Sequence, residues 1–144
     1  MIPVANRQRR VAVRAAQVRA IVRAVFEQEQ AGEPQVSVAL VNDATIREIN
    51  RDFLDHDWAT DSISFSYDDD PSPDELRGEV VVSAETALRE AQARGVNPAH
   101  ELLLYVAHGT LHLLGWDDDT PERRRSMNAH AARILAAAGV ERAP

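Results

Sequence analysis

The sequence predicts an α+β domain, a small mixed sheet of about four strands flanked by helices, and three observations carry that prediction. Short stretches that alternate with period two or run β-branched stand between longer ones whose apolar residues recur every three or four positions. Turn residues separate them, with no repeat or low-complexity linker. A chain of 144 residues, 44% of them hydrophobic, holds core enough for one domain over 1–144 and gives no reason to expect a second.

Ile2 to Asn6 reads as a short edge strand. From Ala12 to Gln30, Val18, Ile21, Val22 and Val25 fall on one helical face, and Gly32 and Pro34 close the segment. Val36, Val38 and Leu40 alternate with Ser37 and Ala39 as a half-buried strand, after which Asn42 or Asp43 starts a helix through Ile46, Ile49 and Phe53. Ser62 to Tyr67 alternates polar and apolar residues and Glu79 to Ser83 is a β-branched run, so both are expected strands. Between them Asp68 to Glu75 combines prolines with mutually repelling aspartates, a solvated hairpin connection and not a metal site. Ser83 caps a helix to about Arg94, which Gly95 stops. Asn97 and Pro98 open the next, since a proline in a first turn lacks only an N–H that has no partner there. Its Ala99, Leu102, Leu103, Val106, Leu113 and Leu114 are expected to pack on the sheet. Thr120 and Pro121 cap a last helix through Met127, Ile134 and Leu135, ended by Gly139.

The helix from Glu101 to Leu114 carries the chemistry, in His108-Gly-Thr-Leu-His112-Leu-Leu-Gly115-Trp-Asp-Asp118. Positions four apart on a helix are only ~40° apart around it, so both imidazoles leave one face. Gly115 ends the helix and turns the chain back, which makes Asp118 the expected third ligand, with the neighbouring carboxylates Asp117 and Asp119 as alternatives should the turn run one residue differently. Extended zincin motifs place a glycine and a third ligand at these same spacings after the second histidine, and three protein ligands leave a coordination position open, as in a catalytic zinc site. The expectation is a zincin-like metal helix facing a cleft. The glutamate that acts as base in a metallopeptidase would stand at position 109, and that residue is glycine. A helical glycine beside a ligand wants a reason, and close approach of a bulky substrate is one. His100 and His130 have no partner spacing and are expected at the surface.

Composition narrows the rest. The absence of cysteine excludes disulfides, thiolate ligands and a cysteine nucleophile, so a metal must be held by His, Asp or Glu. No run reaches the ~20 apolar residues of a membrane span, and the first residues lack a signal core, so a cytoplasmic protein is expected. A net charge of -7 argues against a generic nucleic-acid binder. All 16 basic residues are arginine, however, grouped at Arg7, Arg9, Arg10, Arg14, Arg19 and Arg23 and again at Arg123 to Arg125, and local arginine clusters can still meet phosphate. The alternative for Arg123 to Arg125 is a solvated helix face.

The stretch from His108 to Asp119 resembles the H-G-x-L-H-L-x-G-Y-D-H signature of the bacterial YbeY family, endoribonucleases that mature ribosomal RNA. Leu76-Arg-Gly-Glu-Val-Val-Val-Ser83 is similar to the family's L-G-D-I-x-I-S strand, and Thr60-Asp-Ser-Ile-Ser-Phe65 to its T-D-V-L-S-F segment. Order and spacing agree from about Val36 to Gly139. The resemblance implies a metal-dependent hydrolase with one zinc held by three ligands and a substrate cleft between the metal helix and the sheet. It implies precursor or single-stranded ribosomal RNA as substrate, cut in maturing the small-subunit 3′ end, with roles in ribosome quality control, the small ribosomal subunit as partner, and neither a membrane nor a nucleotide cofactor. Two departures stand out. The family's third ligand is usually histidine where this chain has Asp118, whose negative charge makes Mn²⁺ a stronger competitor for Zn²⁺. Many members also carry a cleft arginine where this chain has Leu54.

The expected chemistry is hydrolysis of single-stranded RNA, with a metal on His108, His112 and Asp118 polarising a phosphoryl oxygen and lowering the pKa of its water toward ~7. His56 is the candidate base or phosphate contact unless it is a salt-linked loop residue, and Asp61 and Ser64 are further candidates. The competing readings are a non-catalytic ribosome-assembly factor with a structural metal and a zinc metallopeptidase.

Overall fold

The computed structural model describes residues 2–67 and 77–143. In chain order the elements are β1 (Val4–Asn6), α1 (Ala15–Gln28), β2 (Val36–Val41), α2 (Asp43–Leu54), β3 (Ser62–Ser66), β4 (Gly78–Ser83), α3 (Ala84–Arg94), α4 (Pro98–Leu113) and α5 (Pro121–Ala137). The sheet runs β1-β2-β4-β3, with β1, β2 and β4 parallel and β3 antiparallel to β4 on one edge. It is the small mixed sheet that the alternating segments predict. The expected loop at Asp68 to Glu75 lies outside the described residues; on either side of it, the Tyr67 N–H donates to the Arg77 carbonyl at 2.8 Å.

Period-two alternation divides the strands between two cores. Val36, Val38 and Leu40 of β2 and Val80 and Val82 of β4 face the larger one, where Val18, Ile21, Val22 and Val25 of α1, Leu102, Leu103 and Val106 of α4 and Met127 and Leu135 of α5 meet them. Val41, Val81 and Ile63 face the other way, onto Ile46 of α2 with Ile49 and Phe65 at its margin. Phe53 was expected on that apolar face, yet it is 72% exposed, its ring edge-to-face with Phe65 at 5.8 Å. The second core is too shallow to reach it.

In β3 the packing settles which face of the alternation points where. Ile63 and Phe65 join the smaller core, so Ser62, Ser64 and Ser66 look toward α4 and the cleft beside it. Ser64 donates its hydroxyl to the Gly109 carbonyl at 2.8 Å, tying the edge strand to the middle of α4. Gly109 has no room for a side chain. A Cβ there would lie 2.5 Å from Val80 Cγ1 and 3.2 Å from Ser64 Oγ, so the glycine answers to helix–sheet packing and not to a bulky substrate. Gly78 repeats the device lower down, where a Cβ would meet Leu113 Cδ2 at 2.9 Å.

His100, expected at the surface, is instead 7% exposed, and its Nδ1 is buried with no hydrogen-bond partner. It sits in the first turn of α4, which is sunk between α3 and α5. The sequence around it carries no packing signal, because a histidine has the same letter inside and out. Burial lowers its pKa from an ordinary 6.5, and nearby Glu101 only partly opposes this.

Two outcomes follow from this packing. Alanine favours a helix over glycine by ~1 kcal/mol, yet Gly109→Ala is expected to lower the unfolding free energy by about 1–2 kcal/mol because it overpacks Val80. Urea unfolding checks the sign, and Val80→Ala should cost less in the Gly109→Ala background than in the wild type. For His100, the folded pKa lies below the unfolded one. Its contribution to stability is therefore complete above about pH 6.5 and is lost as the pH falls through the lowered folded value. His100→Gln should flatten that acid-side decline in unfolding midpoints.

Candidate metal centre

Helix α4 ends as Gly115 requires. The Gly115 N–H donates to the His112 carbonyl at 3.1 Å and the Trp116 N–H to the Leu111 carbonyl at 3.1 Å, a Schellman closure around a glycine at φ 100°. This closure folds the chain back over the last turn of the helix. The Trp116 carbonyl then lies 3.0 Å from His112 Nδ1. A carbonyl only accepts, so Nδ1 carries the hydrogen and the Nε2 lone pair is free to bind a metal.

Three residues after Gly115, Asp118 Oδ2 stands 3.4 Å from His112 Nε2 and 3.9 Å from His108 Nε2. The two imidazoles lie parallel, 8° between planes with centroids 5.4 Å apart. One ligand atom from each of the three residues falls within 4.8 Å of the others, so one cation could touch all three. Among the described residues, His108 Nε2 is buried and has no hydrogen-bond partner. An orphaned ring nitrogen facing a carboxylate and a second imidazole fits a metal ligand, since a buried polar atom is costly when left unmade. Burial lowers the His108 pKa, outweighing the opposing pull of the Asp61 and Asp118 carboxylates, and keeps the ring neutral as ligation demands. Of the adjacent aspartates, Asp119 pairs with Arg123 at 2.9 Å and Asp117 borders a separate depression beside Trp116.

Clefts open on both sides of these ligands. One, of about 430 Å³, is lined by His112, His56, Trp58, Leu54 and the β3 serines. His56 is thus a loop residue that reaches the cleft, stacked on Trp58 at 4.5 Å. The other, of about 580 Å³, is lined by His108, Asp118, Asp61, Tyr105, Arg94 and Arg124 among others, and Thr60 borders both. Asp61 accepts from the Ser62 N–H at 2.7 Å and the Thr60 hydroxyl at 3.3 Å. At position 109 no carboxylate can be accommodated, since even a Cβ collides with Val80.

The turn that carries Asp118 has an anchor that sequence reasoning missed. Trp116 donates its indole N–H to the Glu29 carboxylate at the end of α1. His130 of α5, expected at the surface, is only 12% exposed: it stacks on Trp116 at 4.6 Å and its Nε2–H donates to Glu29 at 3.1 Å. Glu29 and His130 are 101 residues apart, beyond any local spacing rule.

Comparison with known proteins agrees with the site. The model of the endoribonuclease YbeY family matches residues 3–139. The chain belongs to that family. It is 45% identical over 108 residues to the endoribonuclease YbeY of Rhodopirellula baltica, covering 74% of this chain and 55% of that protein's length. It is 40% identical to the Moorella thermoacetica relative over 78% of each chain, and 33% identical to that of Syntrophotalea carbinolica over 94% of each. The solution structure of TM1509 from Thermotoga maritima shares the fold at a TM-score of 0.59 and 23% identity, covering 95% of this chain and 91% of that one. Among the described residues, no helix is long and apolar enough to cross a membrane.

Glu29→Gln weakens one partner shared by Trp116 and His130. The unfolding free energy is expected to drop by about 1–3 kcal/mol in chemical denaturation, as for a hydrogen-bonded charge in a partly buried site.

Proposed function

We propose that this protein is a metal-dependent endoribonuclease that hydrolyses single-stranded regions of ribosomal RNA, acting in small-subunit 3′ end maturation and ribosome quality control in the cytoplasm. The observation that carries this reading is the buried, unpartnered His108 Nε2 turned toward His112 and Asp118 in a chain of the endoribonuclease YbeY family. Zn²⁺ suits two imidazoles and a carboxylate, and the carboxylate makes Mn²⁺ its nearest competitor. When bound, such an ion supplies Lewis-acid polarisation of a phosphoryl oxygen and a more acidic water.

The chain's own residues do the rest. His108 is kept neutral by burial, and His112 is held in one tautomer by the Trp116 carbonyl. Asp118 presents its carboxylate from a turn whose backbone is set by Gly115. His56, in the cleft with His112, is the group we assign to proton transfer or phosphate contact, and Asp61, in the cleft with His108, is assigned to proton transfer. Ser64 commits its hydroxyl proton to the Gly109 carbonyl, and we assign it to seating α4. The small ribosomal subunit is the expected partner. The lack of space for a glutamate at position 109 counts against peptide hydrolysis.

The test compares zinc content and cleavage of single-stranded RNA in wild type, His112→Ala and Asp118→Ala. Both variants should lose metal affinity by at least ~10-fold and lose cleavage with it. Equal activity in all three sinks the assignment; equal RNA association without cleavage in any of them points to an assembly factor.

A further inference from the structure

The cleft beside His108 and Asp118 is acidic, which is awkward for a polyanion. Asp61, Glu90, Glu101 and Asp118 line it, against two guanidinium groups, Arg94 and Arg124. Arg94 is already spent, 3.3 Å from Glu90 and 3.4 Å from the buried Glu101. Across the metal ligands, the cleft that holds His56, Trp58 and Leu54 has no lysine or arginine among its described lining residues.

Arg124 is different. Among the described residues no carboxylate lies within ion-pair reach of it, whereas its neighbour Arg123 is locked to Asp119 at 2.9 Å. Its side chain makes one long hydrogen bond, Nη2 to the Asp118 carbonyl at 3.4 Å. That contact stations the guanidinium beside the backbone of the third ligand and leaves the other N–H groups of the fork uncommitted, a geometry suited to two phosphate oxygens. Arg125, one residue on, faces the separate depression beside Trp116.

We propose that Arg124 is a phosphate-binding group of this centre, taking the non-bridging oxygens of an RNA phosphodiester laid across His108 and Asp118. The proposal rests on the endoribonuclease reading. It makes α5 part of the substrate site: the helix brings a cation to a cleft whose other guanidinium is neutralised. The charge acts where the phosphodiester must come closest to four carboxylates.

The test is binding of a short phosphorothioate-linked single-stranded RNA, by fluorescence anisotropy across a salt series, to zinc-loaded wild type, Arg124→Gln, Arg124→Lys and Arg125→Gln. Arg124→Gln should bind about tenfold more weakly. Its slope of log K against log salt should be shallower by ~0.7, one phosphate contact on a single strand. Arg124→Lys should keep the wild-type slope, as should Arg125→Gln. Zinc affinity, measured by competition with a chromophoric chelator, should be equal in wild type and Arg124→Gln. An unchanged slope in Arg124→Gln overturns the proposal, and so does a parallel loss of zinc affinity, which would make Arg124 a support for Asp118. Wild type without salt-dependent binding overturns the RNA reading itself, and this proposal with it.

Discussion

The contact between Gly109 of α4 and Val80 of β4 sets the distance from which everything at the site is measured. With no Cβ at Gly109, the helix comes close enough for Ser64 on the edge strand to donate into its backbone. One residue before that seat, His108 is largely buried beside Asp61 and Tyr105; burial keeps its ring neutral, and among the described residues its Nε2 has no hydrogen-bond partner. Further down the helix, Gly78 admits Leu113 in the same way. Two missing side chains therefore let one helix lie close on β3 and β4.

The candidate ligand set is assembled by different physical means. His108 owes its readiness to desolvation, His112 to a carbonyl that fixes its tautomer, and Asp118 to a chain reversal at a glycine. The last two converge on Trp116, whose carbonyl orients His112 and whose indole is held by Glu29 and His130. Helices α1 and α5 thereby support the turn that carries Asp118 without touching its carboxylate. Precision of this kind depends on packing around the ligands as much as on the ligands.

Much of the fold was legible because its signals are local. Caps at Ser83, Asn97 and Thr120 work over three residues, and β-branched runs reveal strands wherever they occur. The metal motif was legible for the same reason, since helix periodicity and a glycine turn fix where three side chains within eleven residues can point. His100, His130 and Phe53 were placed on the wrong side of the surface because exposure depends on which elements pack over them. Gly109 was visible as an anomaly, but its cause lay on β4, 29 positions away in the chain.

By itself, then, the sequence determined the elements, the mixed α+β class, the His108, His112 and Asp118 spacing, and the exclusion of thiolate chemistry, all consequences of short-range backbone geometry and composition. Packing of distant segments settled that the serine face of β3 looks toward α4, that Gly109 serves packing, that Glu29 and His130 grip Trp116, and which arginine in the cleft has no ion pair among the described residues. Each of these depends on groups brought together from distant parts of the chain. Alternation shows that β3 has two faces, but which one meets a helix is settled by the free energy of burying whole surfaces against each other.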